Sequence, residues 1–191
     1  TNGGTLPHEI ESVTREVVRS VGRPVGVHFH NDAGLAVANS IAAVTAGARS
    51  VQGTMNGYGE RCGNCDLTSF IPNLVLKMKM PCAAASALEH LTEVSRYVSE
   101  IANLAHNERA PYVGDNAFAH KGGIHVSALK KDTSTYEHLD PALVGNRRKV
   151  LVSELAGKSN IELKARELGI ELKDEAALPA KVLRQIKVLE D

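Results

Sequence analysis

The first eighty residues alternate short apolar runs with helix-period stretches in units of roughly thirty residues, a rhythm that suits parallel strands joined by crossover helices. Apolar residues at Ile10, Val13, Val17 and Val21, with an early Pro7 and a following Gly22, predict a helix over 7–21. Val25 to His30 reads as a short buried strand. Asp32 is expected to cap a helix over Ala33 to Ala46, which Gly47 ends. Ser50 to Met55 is expected to be the next strand, broken by Gly57-Tyr58-Gly59. A further helix runs from about Asp66 to Met80. The expected class is therefore α/β.

The texture changes after Pro81. Leu88, Leu91, Val94, Val98, Ile101 and Ala105 predict one long amphipathic helix over 84–106. An irregular stretch follows to Gly123, then a short helix near 125–131, turns to Gly145, a strand over 149–155, and two helical pieces split by 169–179. Two domains are expected, 1–80 and 81–191. The 191 residues carry 22 basic and 22 acidic side chains, so formal net charge is zero and neither nucleic acid nor an anionic membrane is an expected partner. Aromatics make up only 4% of the chain, so its core is expected to be Val, Leu, Ile and Ala. Three cysteines, an odd number, argue against a disulfide framework and for a reducing compartment, the cytoplasm. No apolar run approaches the length of a membrane span and no signal peptide is visible.

Chemistry concentrates in three blocks. His28-Phe29-His30-Asn31-Asp32 places two imidazoles at i and i+2, hence on one face of a strand, where they can hold a divalent metal. A pair of structural histidines is the plainer reading. Gly57-Tyr58-Gly59-Glu60-Arg61-Cys62-Gly63-Asn64 reads either as a simple strand-to-helix turn or as a loop at the carboxyl end of a strand, where α/β enzymes keep their chemistry. Its Cys62-x-x-Cys65 spacing leaves a redox pair open, but Cys82 alone cannot complete a zinc knuckle. Ala119-His120-Lys121-Gly122-Gly123-Ile124-His125 sets two histidines around a Lys-Gly-Gly helix start, suited to an anion or acyl group, or else to no ligand.

Together and in this order, the blocks resemble the 2-isopropylmalate synthase family, which includes homocitrate and citramalate synthases. The family pattern of a Thr-Gly turn, His-x-His-Asn-Asp, Gly-x-Gly-Glu-Arg-x-Gly-Asn and His-Lys-x-Gly-x-His reads here as Thr1-Asn2-Gly3-Gly4, 28–32, 57–64 and 120–125. The run 140–160 looks most like the citramalate synthase subgroup. The resemblance implies the carboxyl-terminal part of a TIM barrel, with its last two strands and helices, followed by helical subdomains. In that reading 25–30 is the seventh strand and 50–55 the eighth. The Asp-x-x-Arg segment and the Glu base of the family do not occur in this chain, so it reads as a fragment, inactive alone.

The activity implied is a Claisen-type condensation of acetyl-CoA with an α-keto acid, pyruvate to give citramalate or 2-oxoisovalerate to give isopropylmalate. A divalent metal (Zn, Mn, Co or Mg) would sit on His28 and His30, with Asn64 as a weak ligand or orienting group. Thr1 matches the residue that binds the substrate carboxylate, and His125, assisted by Tyr136, would stabilise the enolate oxygen. The implied partners are small-molecule substrates and a second copy of the chain in a homodimer. Two rivals remain open: a lyase such as one cleaving hydroxymethylglutaryl-CoA, which would want a different Cys-bearing loop after the eighth strand, and a non-catalytic assembly domain.

Overall fold

A computed structural model describes residues 2–120, 128, 132–151, 158–170 and 178–190. Helix α1 (Pro7–Val21) starts on a proline at its first turn and stops at Gly22, whose left-handed φ of 62° no branched residue adopts cheaply. Strand β1 (Gly26–His28) pairs in parallel with β2 (Ser50–Gln52), in the register Gly26–Ser50, Val27–Val51 and His28–Gln52. Helix α2 (Ala36–Thr45) makes the crossover and packs along α1. The α/β class and its first strand–helix–strand unit follow the sequence, with shorter strands than expected. His30 lies beyond β1 and forms an isolated antiparallel bridge to Asn64.

Asp32 does not cap α2. The helix begins three residues later than expected, and the Ala36 amide donates instead to Asn31 Oδ1 at 3.0 Å. Asp32 is committed to Arg61, as described below. Helix α3 (Leu67–Pro72), shorter than the helix expected to reach Met80, is capped by Asp66, whose Oδ1 accepts from Thr68 N at 2.9 Å and from Thr68 Oγ1 at 2.7 Å. Pro72 has no amide hydrogen to donate, and the helix widens past it into a π turn over Asn73–Lys77, closed by Met78 N donating to Asn73 O at 3.0 Å.

The long helix expected over 84–106 is shorter and two-part. A 3₁₀ segment, Ala85–His90, leads into α4 (Leu91–Ile101). Asn103 turns left-handed at φ 53°, and Leu104 N closes the end on Ser99 O at 2.9 Å. The buried face of α4 is polar, with Thr92, Ser95 and Ser99 inside, whereas Val94, Tyr97 and Ile101 are exposed. A short parallel pair, β3 (Ala119–His120) and β4 (Lys149–Val150), follows. Helices α5 (Lys158–Glu167) and α6 (Leu178–Glu190) pack on each other. Of the short helix expected over 125–131, only Ala128 lies within the described residues.

Two apolar clusters result. One joins Ala36, Cys65, Phe70 and Leu74 beneath Phe29 and Val51, behind the β1–β2 pair. The other joins Leu88, Leu91, Tyr112, Val113, Phe118 and Val144, and Met55, Ile71 and Val75 pack against it. Ile71 belongs to the shells of both, so α3 is the element that couples them.

Candidate functional site

The site is built where the chain leaves β1 and β2. In the extended backbone from His28 to His30, side chains two apart share a face, and the two rings meet edge to face with centroids 5.1 Å apart. Their Nε2 atoms are 3.4 Å from each other. Two nitrogens each about 2.1 Å from one cation, at a tetrahedral angle, stand about 3.4 Å apart, so the spacing fits a shared divalent ion.

The second strand end supplies the third group. Gly57 to Asn64 folds back on itself, with Asn64 N donating to Gly57 O at 3.0 Å and Gly63 N to Glu60 O at 2.9 Å. Gly63 has φ 87°, and a Cβ there would lie 2.0 Å from Gly57 O, so the return is open only to glycine. The loop then joins the first strand end: Asn31 N donates to Gly63 O at 2.9 Å and Cys65 N to Phe29 O at 3.1 Å. That pairing brings Asn64 beside His30.

Two polar atoms here are buried without a hydrogen-bond partner, His30 Nδ1 and Asn64 Oδ1. An unpaired buried polar atom carries a desolvation cost. The Asn64 amide nitrogen is engaged with Tyr58 O at 3.4 Å, which leaves its oxygen as the atom offered to a ligand. Imidazole nitrogen and amide oxygen are donor types that could hold a borderline transition-metal ion better than Mg²⁺. Among the described residues no group of three His, Cys, Asp or Glu side chains gathers around a common point.

Asp32 and Arg61 frame the site, a pairing that Asp32 read as a helix cap did not suggest. Arg61 Nε donates to Asp32 Oδ1 at 2.7 Å and a terminal nitrogen to Oδ2 at 3.0 Å, a two-pronged pair linking the two strand ends. The guanidinium holds the Asp32 carboxyl below the usual carboxylate range. Gly3 lies against this carboxylate, and a Cβ there would fall 2.2 Å from Asp32 Oδ2.

Of the other expected site residues, only Tyr136 lies within the described residues. Thr1 and His125 lie outside the described residues. Tyr136 is half exposed and ends a 3₁₀ turn over Thr133–Thr135. Its neighbour Glu137 is buried and accepts from Arg148 Nε at 2.6 Å and binds His120 Nε2 at 3.0 Å, which ties this turn to β3. Burial pushes the Glu137 carboxyl up, but the hydrogen bonds from Arg148 and His120 outweigh it and hold the group below its usual range. The redox reading of the cysteine pair finds no support. Cys65 is fully buried and burial pushes its thiol up to about 11, so it is not a thiolate at neutral pH.

An HMGL-like family model matches residues 1–98, and a model described as homocitrate synthase post-HMGL domain-like matches 112–191. The chain belongs to the HMGL-like family. It is similar along its whole length to (R)-citramalate synthases, with 51% identity over 191 residues to that of Geobacter sulfurreducens and 53% over 198 to that of a Synechocystis species, covering 36% of each. Identity falls to 41% with a probable 2-isopropylmalate synthase of Methanopyrus kandleri, again across all of this chain and 38% of that protein. The chain thus spans about a third of the length of the curated relatives it matches. Among the described residues no helix is long and apolar enough to cross a membrane.

Proposed function

We propose that the chain carries the metal-binding strand ends of an acyltransferase that joins acetyl-CoA to an α-keto acid, pyruvate, to give citramalate. The observation that carries this reading is the approach of His28 Nε2 and His30 Nε2 at the end of the first of two parallel strands, with Asn64 bridged to His30 through the backbone and its Oδ1 buried without a partner. Identity near one half to (R)-citramalate synthases favours pyruvate over 2-oxoisovalerate. In this reading β1 and β2 are the seventh and eighth strands of a TIM barrel, residues 1–80 close it, and 81–191 form a helical subdomain.

His28, His30 and Asn64 would hold Zn²⁺, Mn²⁺ or Co²⁺, a Lewis acid for a keto oxygen. The Asp32–Arg61 pair keeps the two strand ends at a set spacing, so the histidines and the amide stay aimed at one point. The Thr1 hydroxyl takes the substrate carboxylate. His125 donates to the thioester oxygen as negative charge develops there, with Tyr136 assisting. The partners are small molecules, and three unpaired cysteines suit a cytoplasmic setting.

The test is a graft. The chain replaces the matching segment of the Geobacter sulfurreducens relative, and release of CoA is followed with pyruvate, 2-oxoisovalerate and 2-oxoglutarate. Pyruvate-dependent release that His28→Ala abolishes is expected. Preference for 2-oxoisovalerate moves the assignment to isopropylmalate formation, and a graft that folds but stays silent with all three rejects the reading. The 191-residue chain alone is expected to be silent.

A second reading, an assembly role, is favoured by the exposed apolar stripe Val94, Tyr97, Ile101 and Leu104 on one side of α4 and its end. It predicts a homodimer, and a monomer by sedimentation at micromolar concentration counts against it.

A further inference from the structure

Past Leu91, which joins the apolar core, the side that α4 turns inward is polar. It meets the loop that carries Asn64. Asn56, in the left-handed region at φ 61°, donates through Nδ2 to Ser95 O at 2.8 Å and to Ser99 Oγ at 3.1 Å. Its Oδ1 accepts from Ser95 Oγ at 2.5 Å. Ser99 Oγ donates to Ser95 O at 3.1 Å and stands 3.0 Å from the Tyr58 phenol oxygen.

The protons in this network can be counted. A serine hydroxyl has one hydrogen and two lone pairs. Ser95 gives its hydrogen to Asn56, so His106 Nε2, 2.9 Å away, is the donor to Ser95 Oγ. Ser99 gives its hydrogen to Ser95 O, so the Tyr58 hydroxyl donates to Ser99. Both Asn56 amide hydrogens are used. In this assignment each of these hydrogens has an acceptor, and Ser95 and Ser99 are both essentially inaccessible to water.

Tyr58 carries this order to the site. Its hydroxyl is held by α4, while its carbonyl accepts from Thr54 Oγ1 at 2.6 Å and from Asn64 Nδ2 at 3.4 Å. The carbonyl thereby engages the Asn64 amide nitrogen and leaves the oxygen, buried without a partner, as the end available to a ligand. We propose that α4 sets the aim of Asn64: Asn56, Ser95, Ser99 and Tyr58 are positioning residues that hold the Asn64 oxygen toward His28 and His30 across the junction between the strand–helix units and the helix that follows. The inference rests on the metal reading of those three residues.

The test uses the 191-residue chain and Co²⁺ as probe, following the visible ligand-field band and the affinity by titration. Tyr58→Phe keeps the ring and removes the anchoring hydroxyl, and Ser99→Ala removes its acceptor. Each is expected to weaken Co²⁺ affinity about tenfold and to alter the band. Thr92→Val removes a buried hydrogen bond from the same helix to Val144 O, far along the chain from the loop, and serves as the stability control. It is expected to lower the thermal midpoint and leave Co²⁺ affinity unchanged. If the Tyr58 and Ser99 variants change affinity no more than Thr92→Val does, the positioning role is overturned, and if Ser99→Ala fails to fold, Tyr58→Phe decides alone. Wild-type chain whose Co²⁺ response is the same as that of His28→Ala overturns the metal reading itself, an outcome distinct from normal binding that the two variants leave intact.

Discussion

At position 63 a hydrogen atom in place of a side chain allows the loop after β2 to return to the end of β1. Gly63→Ala forces a left-handed alanine and drives its Cβ into Gly57 O. The expected cost is about 3 kcal/mol, from left-handed strain and overpacking together, read as a shift of the urea midpoint. A shift under a third of that would show that the loop relaxes without strain. Glu137 makes the second prediction at this scale. Its folded carboxyl lies below its unfolded value of about 4.3, so the stabilisation is complete above that value and is lost as pH falls through the folded one. The thermal midpoint should be level above about pH 5 and fall below about pH 4. Glu137→Gln should lower the plateau and flatten the acid limb, and a variant with an unchanged acid limb would remove Glu137 from the account. The histidine pair was legible from the i, i+2 spacing alone because an extended backbone has no other way to direct it. The Asp32–Arg61 pair was not, since no local pattern joins residues 29 positions apart.

Among the elements, α3 shows sequence rules at work. Asp66 sits one residue before the first turn and accepts from the Thr68 amide and hydroxyl. Asp66→Ala should cost about 1 kcal/mol, measured by chemical denaturation, and Asp66→Asn should recover most of it. Helix α4 shows the opposite. The apolar period leading into it buries Leu88 and Leu91 as expected, but past them the serines go inside while Val94 and Ile101 stay exposed. Burial there is decided by hydrogen-bond demand from Asn56 and Tyr58, which a hydropathy pattern does not record. The exposed stripe should drive self-association, so Ile101→Asp is expected to shift sedimentation toward monomer without lowering the thermal midpoint. Loss of fold in that variant would instead place Ile101 in a core contact.

For the whole molecule, binding at the strand ends should stabilise the folded chain by mass action. Saturating Zn²⁺ or Co²⁺ is expected to raise the thermal midpoint of wild-type chain by several degrees and to leave His28→Ala and His30→Ala where they were. An equal rise in all three would mean that the ions bind elsewhere. The strand–helix–strand order, the parallel pairing and the first two chemical blocks could be read without coordinates, because periodicity, glycine and proline placement and i, i+2 geometry act within a few residues. Which partner Asp32 takes, where Asn64 points, and which face of α4 turns inward came only from the folded chain. Each of those depends on groups distant in sequence competing for the same hydrogen bonds, and that competition is settled only once the backbone has brought them within 3 Å or so of one another.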